Sequence, residues 1–111
     1  MGVVLIKDRV TPSDLRLARQ DYEDYVKVTV DIANGRIAIG GQWHADGEKL
    51  LILEGSKKSD IWGGGVNLLT NQVETLALIN LKPGENNSQE ILDSQTREKF
   101  IKIVKEKFNY E

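Results

Sequence analysis

The sequence predicts one α+β domain over residues 1–111, in which two β-hairpins form an antiparallel sheet and two or three helices pack on one side of it. Three observations carry this prediction. Apolar and polar residues alternate on both sides of Asn34-Gly35, two further apolar segments flank residues 70–72, and apolar residues recur at helical spacing near the C-terminus. The length of 111 residues is also that of one ordinary domain.

The first elements are a short strand over residues 3–7 and a helix after it. Thr11 is the expected N-cap of this helix, Pro12 suits its first position, and Asp14 supplies an acid in the first turn. The helix is expected to end before Tyr25.

The next element is a hairpin, because Asn34-Gly35 is typical of a two-residue type I′ turn. Counting back from that turn places the apolar residues of both strands on one face, and Trp43 with them in the core. The other face is polar and carries His44 beside Lys27. In an antiparallel sheet such a face commonly meets solvent, and solvent exposure is expected here.

Residues 46–54 are open to two interpretations. Their run of leucine and isoleucine would suit a buried strand, whereas Asp46 as N-cap and Gly55 just past the end favour a short helix. Because both ends carry residues typical of helix caps, we predict the helix.

The rest of the chain predicts a second hairpin, a loop and a terminal helix. Strands are expected at residues 66–69 and 73–81, and the polar loop 82–88 has little capacity to pack. Asp93 or Ser94 can cap an amphipathic C-terminal helix whose last turns are rich in lysine, as the helix dipole favours.

Composition narrows the function classes. The chain has no cysteine, which excludes disulfides and thiolate metal sites and agrees with a cytoplasmic location. Fifteen basic against seventeen acidic residues give a net charge of −2, which argues against nucleic acid as the partner. No apolar run approaches the ~20 residues of a membrane span. A soluble protein is therefore expected.

The chemistry of the chain is concentrated between residues 40 and 67, which hold its one histidine and both tryptophans. The candidate catalytic residues are His44, Asp46 and Asp60. The candidate ligand-binding residues are Glu48, Glu54, Ser56, Trp62 and Asn67.

Two chemistries suit the catalytic candidates. His44 with Asp46 and Glu48 could hold a divalent cation and acidify a bound water, although no two-histidine zinc signature is present. Alternatively His44 could act as a general base that Asp46, Asp31 or Asp60 orients. Neither alternative identifies a metal or cofactor.

The glycine triplet 63–65 could also serve either of two roles. Its amides could approach a phosphate, but the lysine and the serine or threonine of a nucleotide-binding loop do not follow it. Positive φ angles or close packing of the backbone account for it more simply. Trp62, which precedes the triplet, could fill the core or offer a stacking surface.

The pattern of this segment resembles a family of small, uncharacterised prokaryotic proteins catalogued as a domain of unknown function. The resemblance implies candidate positions and no activity. After the proline of that family a glycine-asparagine-arginine-serine run is expected, whereas residues 85–88 here lack the arginine, which weakens an anion-binding role for the loop. The residues that carry the resemblance are Gly40-Gly41-x-x-His44-Ala45-Asp46-x-Glu48, Glu54-Gly55-Ser56, Asp60-x-Trp62-Gly63 and Asn67.

The leading functional hypothesis is a small cytoplasmic binding or regulatory module with a recognition surface in residues 40–67 and an unidentified ligand or protein partner. The alternative is a hydrolase that uses His44 with nearby carboxylates, with or without a metal. A third hypothesis is a structural protein that forms a homodimer through an exposed apolar strip.

Overall fold

A computed structural model describes residues 2–110, which form a five-stranded antiparallel sheet with the order β1-β3-β2-β4-β5 and three α-helices. This architecture confirms the predicted α+β class. The strands are β1 (Val4–Ile6), β2 (Tyr25–Asp31), β3 (Ile37–Ile39), β4 (Ile61–Asn67) and β5 (Gln72–Glu74); the helices are α1 (Pro12–Ala18), α2 (His44–Leu53) and α3 (Ser94–Phe108); short 3₁₀ turns span Lys58–Asp60 and Leu78–Asn80.

The first strand and helix form where the sequence predicts them. Thr11 accepts a hydrogen bond from the Asp14 amide at 3.1 Å, and the Asp14 carboxylate accepts one from the Thr11 amide at 2.9 Å. These reciprocal bonds satisfy two amides that the first turn of α1 would otherwise leave unpaired.

Helices cover both faces of the sheet, so the prediction that they pack on one side is wrong. Val26, Val28 and Val30 share one face with Phe100 of α3, and the opposite face packs against Leu51 of α2. The polar face is buried as a consequence. The two side chains of this face at the end of β2, those of Thr29 and Asp31, are each only 2% exposed.

The first hairpin has the predicted faces and a different register. Val30 pairs with Ile37, and the Asp31 amide donates to the Arg36 carbonyl, which closes a four-residue loop over residues 32–35. Gly35 ends this loop at a φ of +78°. The pairing is displaced by two residues from that of a two-residue turn, and an even displacement leaves every side chain on its predicted face.

Trp43 is 61% exposed, which overturns its predicted place in the core. β3 ends at Ile39 because Gly40 and Gly41 take φ angles of +86° and +91°, outside the range of a strand. The alternation of apolar and polar residues continues to Trp43, but the strand does not.

The helical interpretation of residues 46–54 is confirmed by α2. The predicted N-cap is wrong, since Trp43 is the N-cap and the helix begins two residues before Asp46. Asp46 occupies the third helical position, where its carboxylate accepts the Trp43 amide at 3.2 Å. Gly55 follows the helix at a φ of +100°, as a residue at that position commonly does.

The second hairpin differs from its prediction at both strands. β4 starts at Ile61 and includes all three glycines of the triplet, and β5 stops at Glu74. The following segment folds back over the sheet and is tied down by Asn80 and Asn86, both buried. The predicted inability of loop 82–88 to pack is thus wrong at Asn86.

The C-terminal helix is confirmed, and Asp93 is its N-cap, accepting the Thr96 amide at 2.9 Å. Within residues 2–110 no helix is both long and apolar enough to cross a membrane.

Candidate functional site

A pocket of about 430 Å³ opens between the N-terminus of α2, the first half of β2 and residues 76–79. Its volume lies in the range of ~300–1,000 Å³ that is usual for small-molecule sites. The ten residues that line it are Tyr25, Lys27, Trp43, His44, Ala45, Leu76, Ala77, Leu78, Ile79 and Gln89.

Large apolar side chains stand exposed at the rim of this pocket. Trp43 is 61% exposed, Leu76 52% and Leu78 64%. A single exposed leucine is ordinary, but a group of large apolar side chains around a concavity is the feature that marks a binding surface.

His44 is fixed in this pocket by the backbone of β4. Its Nε2 lies 2.5 Å from the Gly64 carbonyl oxygen. Because a carbonyl can only accept, Nε2 carries the hydrogen, and Nδ1 of the neutral ring is an acceptor. Gly63 makes room for the ring, since a Cβ at that position would lie 3.0 Å from His44 Cδ2.

The imidazole of His44 is held in its neutral form at pH 7. Burial lowers its pKa below the ordinary 6.5, the hydrogen bond to Gly64 opposes this shift, and the charge of Lys27 lowers the pKa further. Nδ1 has no hydrogen-bond partner among residues 2–110, where every buried side-chain nitrogen and oxygen is paired. Nδ1 is therefore open to solvent.

Two tyrosine rings hold Lys27 at the side of the pocket. Its Nζ lies 4.6 Å from the ring centroid of Tyr22 and 5.5 Å from that of Tyr25. Both distances are within the range of cation–π attraction. Tyr25 is itself largely buried, and this burial together with the charge of Glu74 raises its pKa to about 12, so its hydroxyl stays protonated.

Each glycine of the triplet accommodates a neighbouring side chain. Gly63 faces His44, Gly64 faces Phe100 on the other side of the sheet, and Gly65 is covered by Tyr25. None of the three has a positive φ, and all pair with β2. Close packing thus explains the triplet, which lies within a strand and forms no phosphate-binding loop.

The acidic candidates lie apart from the pocket. The carboxylate of Asp46 accepts the Trp43 amide. Asp60 is the last residue of a 3₁₀ turn, and its backbone carbonyl accepts the Ile32 amide at 3.0 Å. Glu48 is half-buried on α2, and Glu54 is exposed at the C-cap of that helix.

The remaining candidates also have structural contacts. Ser56 is buried beside the guanidinium of Arg36, and Trp62 is in the core beneath the ammonium of Lys82, 4.8 Å away. Asn67 Oδ1 accepts the Leu69 amide at 2.9 Å in the second hairpin. Of the eight candidates, His44 alone lines the pocket.

No group of three or more histidine or acidic residues in the described part of the chain is placed to hold a metal ion. The carboxylate nearest to His44 in the sequence, that of Asp46, accepts the Trp43 amide instead.

Sequence reasoning missed most of the pocket wall. The sequence predicts a strand at Leu76 and Leu78 and no element at Gln89, and no local pattern marks any of the three as part of a site. Lys27 had one signal, its predicted place on the same sheet face as His44.

Residues 4–107 match the model of a family described as "Protein of unknown function (DUF5674)". This match confirms the resemblance to a domain of unknown function. No curated protein and no solved structure is significantly similar to the chain.

Proposed function

Since the chain belongs to this family, which has no assigned activity, we propose from the geometry of the pocket that it is a small binding module and that the pocket around His44 is its recognition site. One observation carries the proposal. Exposed Trp43, Leu76 and Leu78 surround a concavity in which a neutral, rigidly held imidazole leaves one nitrogen free.

The proposal narrows the predicted recognition surface of residues 40–67. The proposed site contains Trp43, His44 and Ala45 from that segment. Its other residues come from β2 and from the segment after β5. A pocket with mostly apolar walls and a few placed polar groups is the usual form of a small-molecule site.

The geometry favours binding over the alternative of a hydrolase. The hydrolase alternative pairs His44 with a nearby carboxylate, but the Nε2 hydrogen of His44 goes to the Gly64 carbonyl, and the Asp46 carboxylate accepts the Trp43 amide. Such a histidine can still accept a hydrogen bond from a ligand through Nδ1.

We place this module in the cytoplasm because it has no cysteine, and we assign it no nucleic-acid partner because its net charge is −2. A homodimer remains a hypothesis, and its test is the oligomeric state by sedimentation.

Indole, an apolar ring with one N–H donor, is a suitable first probe. Titrated into the labelled protein, it is expected to shift the amide resonances of Lys27, His44 and Leu76. Leu78→Ser should weaken binding by roughly fivefold, because the probe loses about 1 kcal/mol of apolar contact.

The matched control is Leu53→Ser. Leu53 is 75% exposed near the end of α2 and does not line the pocket, so the same change there should leave the affinity unaltered. Equal weakening by both substitutions, or indole shifts that map elsewhere, would refute the pocket as the recognition site.

A further inference from the structure

We propose that the pocket takes a small monocarboxylate whose apolar body carries one N–H or O–H donor, with the carboxylate at Lys27 and the donor at His44. This inference rests on the proposed binding function and specifies the class of ligand.

The charge of the pocket wall points to an anion. Among the ten described residues that line the pocket, Lys27 is the one with a formal charge, and no aspartate or glutamate belongs to the set. Because His44 is neutral, an entering carboxylate meets one cation and no fixed anion on the wall. A ligand with an ammonium group would instead be repelled by Lys27 and would find no carboxylate on the wall.

Lys27 is positioned in advance for this contact. Its ammonium lies against the rings of Tyr22 and Tyr25, which restricts a side chain that is otherwise long and mobile. Restricting the cation before the ligand arrives lowers the entropy lost on binding. A hydrogen bond from an ammonium to a carboxylate is also about twice as strong as a neutral one.

His44 sets a second requirement. Its Nε2 hydrogen is used by the Gly64 carbonyl, so the open Nδ1 can accept and cannot donate while the ring is neutral. A carboxylate oxygen gains nothing from an acceptor, and the partner of Nδ1 must be an N–H or O–H group on the body of the ligand.

The apolar wall supplies the third requirement. Leu76, Leu78 and Trp43 would be covered by a ring or branched chain, and the loss of their exposed area provides the driving force. The ligand is thus a small amphiphile of one negative charge, with a body the size of an aromatic ring system.

Three related probes separate these requirements: indolepropionate, its uncharged amide, and the N-methyl derivative that lacks the ring donor. Wild-type protein is expected to bind indolepropionate about tenfold more tightly than the amide, as one charge-assisted hydrogen bond would give. N-methylation should weaken binding because Nδ1 then finds no donor.

Lys27→Met keeps the aliphatic stem and removes the charge, so it should abolish the preference for the carboxylate over the amide. Lys27→Arg should retain that preference. Lys99→Met makes the same change of charge at an exposed residue of α3, on the other side of the sheet, and should leave the preference intact.

Two outcomes would overturn the inference in different ways. If the amide binds as tightly as indolepropionate and Leu78→Ser weakens both, the pocket is a recognition site and the ligand is not a carboxylate. If neither probe shifts the pocket resonances at millimolar concentration, the proposed function fails together with the inference.

Discussion

Gly64→Ala is expected to destabilise the protein by about 3 kcal/mol, the upper end of the cost of overpacking a core. A Cβ at this position would run into the Glu74 carbonyl oxygen and lie 2.8 Å from Cε1 and Cζ of Phe100. The backbone oxygen belongs to the neighbouring strand β5 and cannot move aside alone. Urea unfolding would measure the loss.

Two further substitutions test whether steric overlap of the added Cβ causes this loss of stability. Gly35→Ala places a methyl group where nothing lies within 4 Å, and its cost should be about 1–2 kcal/mol from the left-handed φ alone. Phe100→Leu added to Gly64→Ala should recover part of the loss by relieving one of the two contacts. A cost for Gly64→Ala below that of Gly35→Ala would contradict the explanation of the triplet.

Asn80→Ala is expected to cost about 3–5 kcal/mol, because it removes several buried hydrogen bonds at once. Asn80 is fully buried, its Oδ1 accepts the Gly63 amide at 2.8 Å, and its Nδ2 donates to the carbonyls of Gly63 and Gln89, both at 2.9 Å. Alanine would leave these backbone groups unpaired away from water.

The same substitution should also abolish ligand binding. Asn80 ties β4 to the segment that presents Leu76 and Leu78, so the pocket wall depends on it. Thermal unfolding and an indole titration of the folded fraction would measure the two effects. Asn87→Ala makes the same change at an exposed residue of loop 82–88 and should change stability by no more than about 0.5 kcal/mol. Equal effects of the two variants would contradict the role assigned to Asn80.

Local signals explain which parts of the fold were predictable. Caps at Thr11, Asp93 and Gly55 operate within one turn of the chain, and each one forms as the sequence indicates. Faces of the first hairpin were also predictable, because alternation survives an even shift in register. The register itself was not, since Asp31 extends the loop by accepting the Ala33 amide at 2.9 Å.

Local glycine conformation and longer-range contacts explain the failures. Two consecutive glycines at residues 40–41 end β3, so the pattern that placed Trp43 in the core was not that of a strand. The predicted strand begins only after the glycine triplet, yet all three glycines lie in β4, where each one packs against a side chain distant in the sequence. Asn80 and Asn86 are polar in sequence and buried only because backbone groups from several segments converge on them.

The candidate site was predictable only at its centre. His44 stood out because it is the one histidine, and its position in the pocket follows from α2 starting two residues before Asp46. The acidic candidates were adjacent to it in sequence, but helix geometry turns Asp46 back to the Trp43 amide. The leucines that complete the pocket come from residues 76–79, for which no local pattern indicates a site.

The most direct test of the binding site is the imidazole nitrogen spectrum of His44, recorded against pH and then during an indole titration. We expect the Nε2–H tautomer, a pKa below 6.5, and a shift of the Nδ1 resonance that saturates with indole as the N–H of indole donates to Nδ1. The Nδ1–H tautomer, a pKa above 6.5, or an Nδ1 resonance that stays fixed while indole binds would contradict this expectation.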